Sequence, residues 1–386
     1  MTEFLKYHGA GNDFLLYDAR TAPEEFPAER IAALCDRHTG VGADGLMILS
    51  MAEGYDFRME FFNPDGSGGM MCGNGGRCIV AFARDLGLAP GPDGTYHFLA
   101  PDGPHTAWLL SDDGPVKTVR LGMKDVTEYY RVVSGDGNGR ADEVFGAALR
   151  GGVSGDGNGR TDEVFGAGLR SGVSGDGAVS VLLGGGQNLS GWFLDTGTRH
   201  FVTFVDSVDS VDVEGLGRTI RHLPEFGPVG VNVNFVEIIA PGEIAVRTFE
   251  KGVEAETLAC GTGITASAIA SWLAACPAED GANGAAGGVC VAGAAVPACA
   301  AGCAAAGGGT DAADAAVPAC AAGIAGSADV SDACSAAVGW PTTILVHARR
   351  HDLAVSFTPS RVGPDISFVD VTLTGPAERV ARILLP

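Results

Sequence analysis

A mixed α/β protein built as two comparable halves is what the sequence predicts, and three observations carry that expectation. Short β-like runs recur on both sides of the chain, helix-like segments fall between them, and a Cys-Gly-x-Gly sequence occurs once in each half. Hydrophobic residues make up 46% of the 386, enough to fill two cores of ordinary domain size.

In the first 123 residues, FLLYD, GLMIL, FRMEFF and VKTVRLGM read as strands bounded by Gly, Asp and Asn. PAERIAALCDRHTG reads as a helix with a glycine stop, and a second helix is expected from Arg77 to Gly87. Residues 190–270 resume the style. GWFLDTG, RHFVTFVD, VNVNFVEII and EIAVRTFE are expected strands, and TGITASAIASWLAA is an expected helix. ILVHAR, LAVSFTP and FVDVTLTG then give three more strands before a short tail.

Two segments break the pattern. From Ser134, SGDGNGRADEVFGAALRGGV is followed by SGDGNGRTDEVFGAGLRSGV and then SGDGA, a 20-residue period in which three positions differ. In the Ala/Gly-rich stretch 277–339, AAVPACAAG at 294–302 returns at 315–323. Copies this alike point to recent duplication rather than to a stacked solenoid, and both read as surface insertions.

Composition excludes several classes. With 25 Lys+Arg against 47 Asp+Glu, a net charge of −22 repels phosphate backbones, so no nucleic-acid partner is expected. Few lysines among many acids fit either solubility by charge in a salty cytoplasm or a GC-rich genome. Residues 281–310 carry no charge, but their Ala and Gly lack the large apolar side chains that drive insertion, so no membrane span is expected. The start MTEFLKYHGAGNDF shows no basic region before an apolar core; the expectation is a cytoplasmic protein whose ten cysteines stay reduced.

The chemistry concentrates at two cysteines. FFNPDGSGGMMCGNGGRC places Cys72 ahead of Gly73, Asn74 and Gly75, and ETLACGTGITASAIA places Cys260 ahead of Gly261, Thr262 and Gly263. Each is a glycine-rich helix start whose free N–H groups can hold an anion such as a carboxylate. The same helix end is expected to lower the neighbouring thiol from about 8.5 toward neutrality. One such site is as well read as a buried cysteine at a tight turn; two, in two similar halves, point to a pair of acid/base thiols. Two sulfurs across one carboxylate suit removal of an amino acid's α-proton from one face and return of a proton to the other. No metal or other cofactor is then needed. In the repeat, Asp136, Asn138 and Asp142, with Asp156, Asn158 and Asp162, are spaced roughly like calcium ligands. The sixth-position glycine and twelfth-position glutamate of an EF-hand loop are missing, so no metal site is expected. Cys299 and Cys303 have neither a nearby His nor a paired CxxC.

These residues resemble the diaminopimelate epimerase family. HGAGNDF (8–14), GVGADG (40–45), FFNPDG (61–66), CGNGGRC (72–78), VNVNF (231–235) and ETLACGTG (256–263) match its motifs in order, with HARRHDLAVSF and DVTLTGPAERV in the closing residues. The resemblance implies two pseudo-symmetric domains, each a β-sheet barrel around a central helix, with the site in the cleft between them. It places residues 1–123 plus 374–386 in one domain and 124–373 in the other, with insertions at about 134–178 and 277–339. It implies Cys72 and Cys260 as acid/base residues, and Gly73, Asn74, Gly261 and Thr262 as holders of the reacting carboxylate. Asn12, Asn63, Asn232, Glu250 and Lys251 would take the distal end, with His200 and Glu250 tuning the cysteines. A homodimer without cofactor is also implied.

Two positions depart from the family pattern. Thr198-Arg199-His200 stands where Asn-Pro-His is usual, and Glu250-Lys251 where Glu-Arg is usual. Lysine offers a point charge in place of a planar fork, and Arg199 is the candidate to supply a guanidinium. Two other readings stay open: a sister racemase with another substrate, and an inactive descendant that serves as a binding protein.

Overall fold

The computed structural model describes residues 1–69, 71–132, 181–183, 187–275, 340–362 and 365–385. Both expected insertions, with all six candidate calcium ligands, lie outside them.

The first half runs β1 (Thr2–Gly9), β2 (Asn12–Asp18), α1 (Ala28–Cys35), β3 (Leu46–Ser50), β4 (Phe57–Phe62), α2 (Gly73–Asp85), β5 (Tyr96–Ala100), β6 (Gly103–Asp113) and β7 (Val116–Gly122). The second begins with β8 (Tyr129–Val132) and a separate two-stranded ribbon, β9 (Val181–Leu183) with β10 (Gln187–Leu189). It continues through β11 (Gly191–Asp195), β12 (Arg199–Phe204), α3 (Val213–Arg221), β13 (Asn232–Ala240), β14 (Glu243–Glu250), β15 (Ala255–Thr257) and α4 (Gly261–Ala275). β16 (Thr343–His347), β17 (Asp352–Val362) and β18 (Asp365–Leu385) complete it.

The halves repeat one plan. β1 and β2 form an antiparallel hairpin, α1 crosses over to the parallel β3, and α2 crosses from β4 to the parallel β5. In the second half β11 and β12 pair antiparallel, α3 links β12 to the parallel β13, and α4 lies between β14 and the parallel β16. The long β18 belongs to both. Gly375–Glu378 pair with β7 and Glu378–Leu385 with β1, which closes an eight-stranded barrel. Its first ten residues pair with β17, and Phe368 exchanges two 2.8 Å backbone hydrogen bonds with Val126, just ahead of β8. The second ring of eight strands thus also meets at β18.

Each ring is filled by its helix. Ile79, Val80 and Phe82 of α2 pack among Tyr7, Phe14, Met47 and Phe57. α4 is apolar on every side, as a helix enclosed by a barrel must be, and its Trp272 meets Phe357 and Phe368 edge to face.

Three expectations need correction. α1 stops at Cys35 rather than at Gly40, because Asp36 Oδ1 accepts the backbone N–H groups of His38 and Thr39 and turns the chain first. α2 begins at Gly73, four residues before Arg77, because Cys72 caps it with its sulfur. The short tail is strand: β18 runs on to Leu385, because β7 and β1 both need a partner there.

Candidate active site

The two Cys-Gly sequences meet end to end. Cys72 is the N-cap of α2, its backbone extended, and its Sγ accepts the N–H of Gly75 at 3.3 Å. Cys260 immediately precedes α4, and its carbonyl accepts the N–H of Ile264 at 2.8 Å. The two helices approach so closely that a Cβ on Gly261 would lie 3.0 Å from the Cα of Gly73. A side chain there would press on that backbone. The N-terminal ends of the two helices, each with its partial positive charge, therefore lie against one another, and each is headed by a thiol.

Electrostatics correct the expectation for those thiols. Burial pushes Cys72 above the ordinary thiol value; the Gly75 N–H pulls it partly back, Glu250 pushes it up and Arg77 draws it down. Burial also raises Cys260, which is 8% exposed, and Glu250 raises it further, while the Thr262 hydroxyl and Gly263 N–H oppose the shift. Loss of solvation outweighs the N–H groups that favour the thiolate, so both sulfurs rest as thiols. Glu250, itself pushed up by burial, is the carboxylate that bears on both.

Arg77 was not singled out from the sequence, although it lies inside the first motif. It is completely buried and donates to Gly73 O at 3.0 Å, Asn74 Oδ1 at 2.9 Å and Pro376 O at 3.4 Å. Burial lowers it to about 10, still charged at neutral pH, and among the described residues no carboxylate pairs with it. It stands as a built-in cation one turn inside α2. Its hold on Asn74 Oδ1 turns the amide NH₂ toward Ala259 O, at 2.9 Å, which ties α2 to the residue before Cys260.

The other candidate residues divide. Asn12 follows the β1–β2 turn, where Ala10 and Gly11 both have positive φ; its Nδ2 donates to Asp44 and its Oδ1 faces the Asn74 amide at 3.4 Å. Asn232 accepts the Lys251 N–H on Oδ1 at 2.8 Å and points Nδ2 toward Thr198 and the carbonyl of Arg199. Lys251 is pressed below the usual lysine value by burial and by the neighbouring cations Arg199 and Arg221, so Arg199 does lie beside it. Asn63 differs. Its amide donates to Ser67 Oγ and Gly68 O within its own loop, and none of its hydrogen bonds reaches the cysteine pair.

His200 is fully buried and held down to about 3, chiefly by burial, so it is neutral. Its Nε2 lies 3.0 Å from Thr262 Oγ1 and 2.9 Å from Thr198 Oγ1. Its Nδ1 faces Asn234 Nδ2 at 3.0 Å. Asn234 and Thr248, which complete this group, were also missed. Alternation was the available signal, since Asn232 and Asn234 of VNVNF must share one face of β13.

Comparisons with known proteins agree with this geometry. The family model described as diaminopimelate epimerase matches residues 4–123 and 192–289. A diaminopimelate epimerase of Chlorobaculum tepidum is 37% identical over 264 residues, covering 68% of this chain and 81% of that protein. One from Aquifex aeolicus is 37% identical over 281 residues, covering 70% and 81%. Among solved structures, a Bacillus anthracis phenazine biosynthesis protein of the PhzF family aligns with a TM-score of 0.52 at 12% identity, over 100% of this chain and 99% of that one. A hydroxyproline epimerase from Agrobacterium vitis aligns with a TM-score of 0.50 at 12% identity, over 99% and 91%, and at that distance the likeness concerns the fold. Both cysteine helix starts fall inside the matched segments, and the barrels that present them to one another are shared with those solved structures: the chain belongs to the diaminopimelate epimerase family.

Proposed function

We propose that this protein is a cofactor-independent isomerase that interconverts LL- and meso-diaminopimelate, in the cytoplasm and as a homodimer, for lysine and peptidoglycan precursor synthesis. The observation that carries the reading is the contact of the two helix starts at Gly73 and Gly261, each headed by a cysteine. A substrate carboxylate between them receives N–H donors from both helices. One sulfur, as thiolate, takes the α-proton from one face, and the other, as thiol, delivers a proton to the opposite face. Negative charge moves onto the carboxylate as it becomes enediolate-like, where the N–H groups and the Arg77 cation stabilise it most strongly. The protein ends each turnover with its proton on the other sulfur, poised for the reverse direction. Asn12, Asn63, Asn232, Glu250 and Lys251 take the distal amino-acid end in this reading, with Arg199 beside Lys251 as a second cation.

The test is incubation with LL-diaminopimelate in D₂O. Conversion to the meso isomer should come with deuterium at the inverted α-carbon. Deuteration of a different amino acid from a panel, with none of diaminopimelate, would move the assignment to a sister racemase; no exchange with any would leave an inactive binding protein. Cys72→Ser and Cys260→Ser should each lower epimerisation by about 100-fold or more, since a hydroxyl cannot be the base near neutral pH. A serine variant with near wild-type epimerisation would return that cysteine to a structural role.

A further inference from the structure

The group behind Cys260 is a directed chain of hydrogen bonds, and its direction can be worked out. Asn234 is fully buried at a register position between Val202 of β12 and Thr248 of β14. Its Nδ2 lies 3.3 Å from the carbonyl of Phe201, which can only accept, so that atom is the amide nitrogen. Its Oδ1 accepts the Thr248 hydroxyl at 2.9 Å, consistent with the same orientation. The NH₂ group therefore also donates to His200 Nδ1, which must be the unprotonated nitrogen. The neutral ring then carries its proton on Nε2 and shares it between the hydroxyls of Thr262 and Thr198, which lie 3.2 Å apart. Thr262, relieved of donating to the ring, can aim its own proton at Cys260 Sγ, 3.4 Å away. Space for the chain is made by Gly263, where a Cβ would fall 2.4 Å from Asn234 Oδ1 and 3.2 Å from the His200 ring.

We propose that Asn234 is a positioning residue which, anchored by Thr248, fixes the Nε2–H tautomer of His200 and thereby makes Thr262 a hydrogen-bond donor to the Cys260 sulfur. Thr262 so stabilises the thiolate when it forms. The proposal rests on Cys260 being one of the two acid/base residues. Other charges face the chain: Glu250 of β14 and Cys72 of α2 bear on Cys260, and Asp195 of β11 and Lys251 bear on His200. Of these only Cys72 is altered by the substitutions below, and it is replaced in every protein of the alkylation comparison, so its influence is the same throughout.

Two measurements test the chain without relying on turnover. Nitrogen-15 shifts of His200 in the full-length protein should report an Nε2–H ring in the wild type. In Asn234→Asp, whose carboxylate accepts where the amide donated, the neutral ring should switch to Nδ1–H. In a Cys72→Ala background, the pH profile of Cys260 alkylation by iodoacetamide should move to higher pH on Thr262→Val, slowing reaction at fixed pH about tenfold. Thr262→Ser should restore it. A wild-type Nδ1–H ring would overturn the proposal, and so would a Thr262→Val profile that does not move. Retained epimerisation in Cys260→Ser would defeat the acid/base reading alone, leaving the tautomer and alkylation results to judge the chain.

Discussion

Single residues set the charge at the point where α2 and α4 meet. Arg77 holds three neutral carbonyl oxygens and no carboxylate among the described residues, so its charge is available to whatever anion lies between the helices. Arg77→Met should destabilise the fold by about 2–4 kcal/mol in denaturant titrations, because buried acceptors lose their donors. It should also slow Cys72 alkylation at fixed pH, since the cation that draws that thiol down is gone. Both thiols lie above their ordinary value, so the fraction present as thiolate grows as pH rises. Epimerisation, followed by deuterium incorporation, should therefore climb from about pH 7 to about pH 9. His200 works in the opposite sense. Its folded value of about 3 lies below the unfolded value of about 6.5. As pH falls below the unfolded value, the unfolded chain takes up a proton that the native ring refuses. Acidification from about pH 6.5 to about pH 5.5 should cost about 1 kcal/mol of stability through this residue, a loss that His200→Gln should remove.

At the scale of elements, the close approach of two helix starts is both the site and its most fragile feature. Gly261→Ala puts a methyl group against the backbone of Gly73, which cannot rotate away. The variant should lose about 1–3 kcal/mol in thermal unfolding and most of its turnover, because the helices must part. Much of this scale was legible beforehand. FRMEFF and EIAVRTFE are strands with the expected bounds, since apolar alternation and turn residues mark both edges. The two cysteine-headed helix starts were legible too, because a glycine-rich helix start carries its own physical signature. What escaped were residues whose meaning depends on a neighbouring strand or helix. In the sequence nothing separates Arg77 from a charge on an exposed helix face, or Asn234 from any polar residue of a strand; the enclosing barrel and the flanking β12 and β14 do. The thiol direction was misjudged for the same reason: helix ends are visible in a sequence, and burial is not.

For the whole molecule, the pairings that join the two rings all lie between described strands. β8 pairs with β11 through residues 129–132 and 191–194, so removing residues 134–173 should leave turnover unchanged in the deuterium assay. Removing residues 376–385 should do the reverse, since β1 and β7 would lose the strand between them, and cooperative unfolding should disappear. The shared strand also imposes an order in time. During synthesis the ribosome finishes β7 about 250 residues before it reaches Gly375, and Thr2 must wait for Leu385. At ordinary elongation rates that interval is on the order of ten seconds or more, during which the nascent first ring has an open seam and exposed backbone edges. The two barrels therefore cannot mature one after the other, as separate domains do. A ribosome-stalled chain ending at Leu373 should be cut by protease throughout its first 123 residues, and release of the full chain should make both halves resistant together.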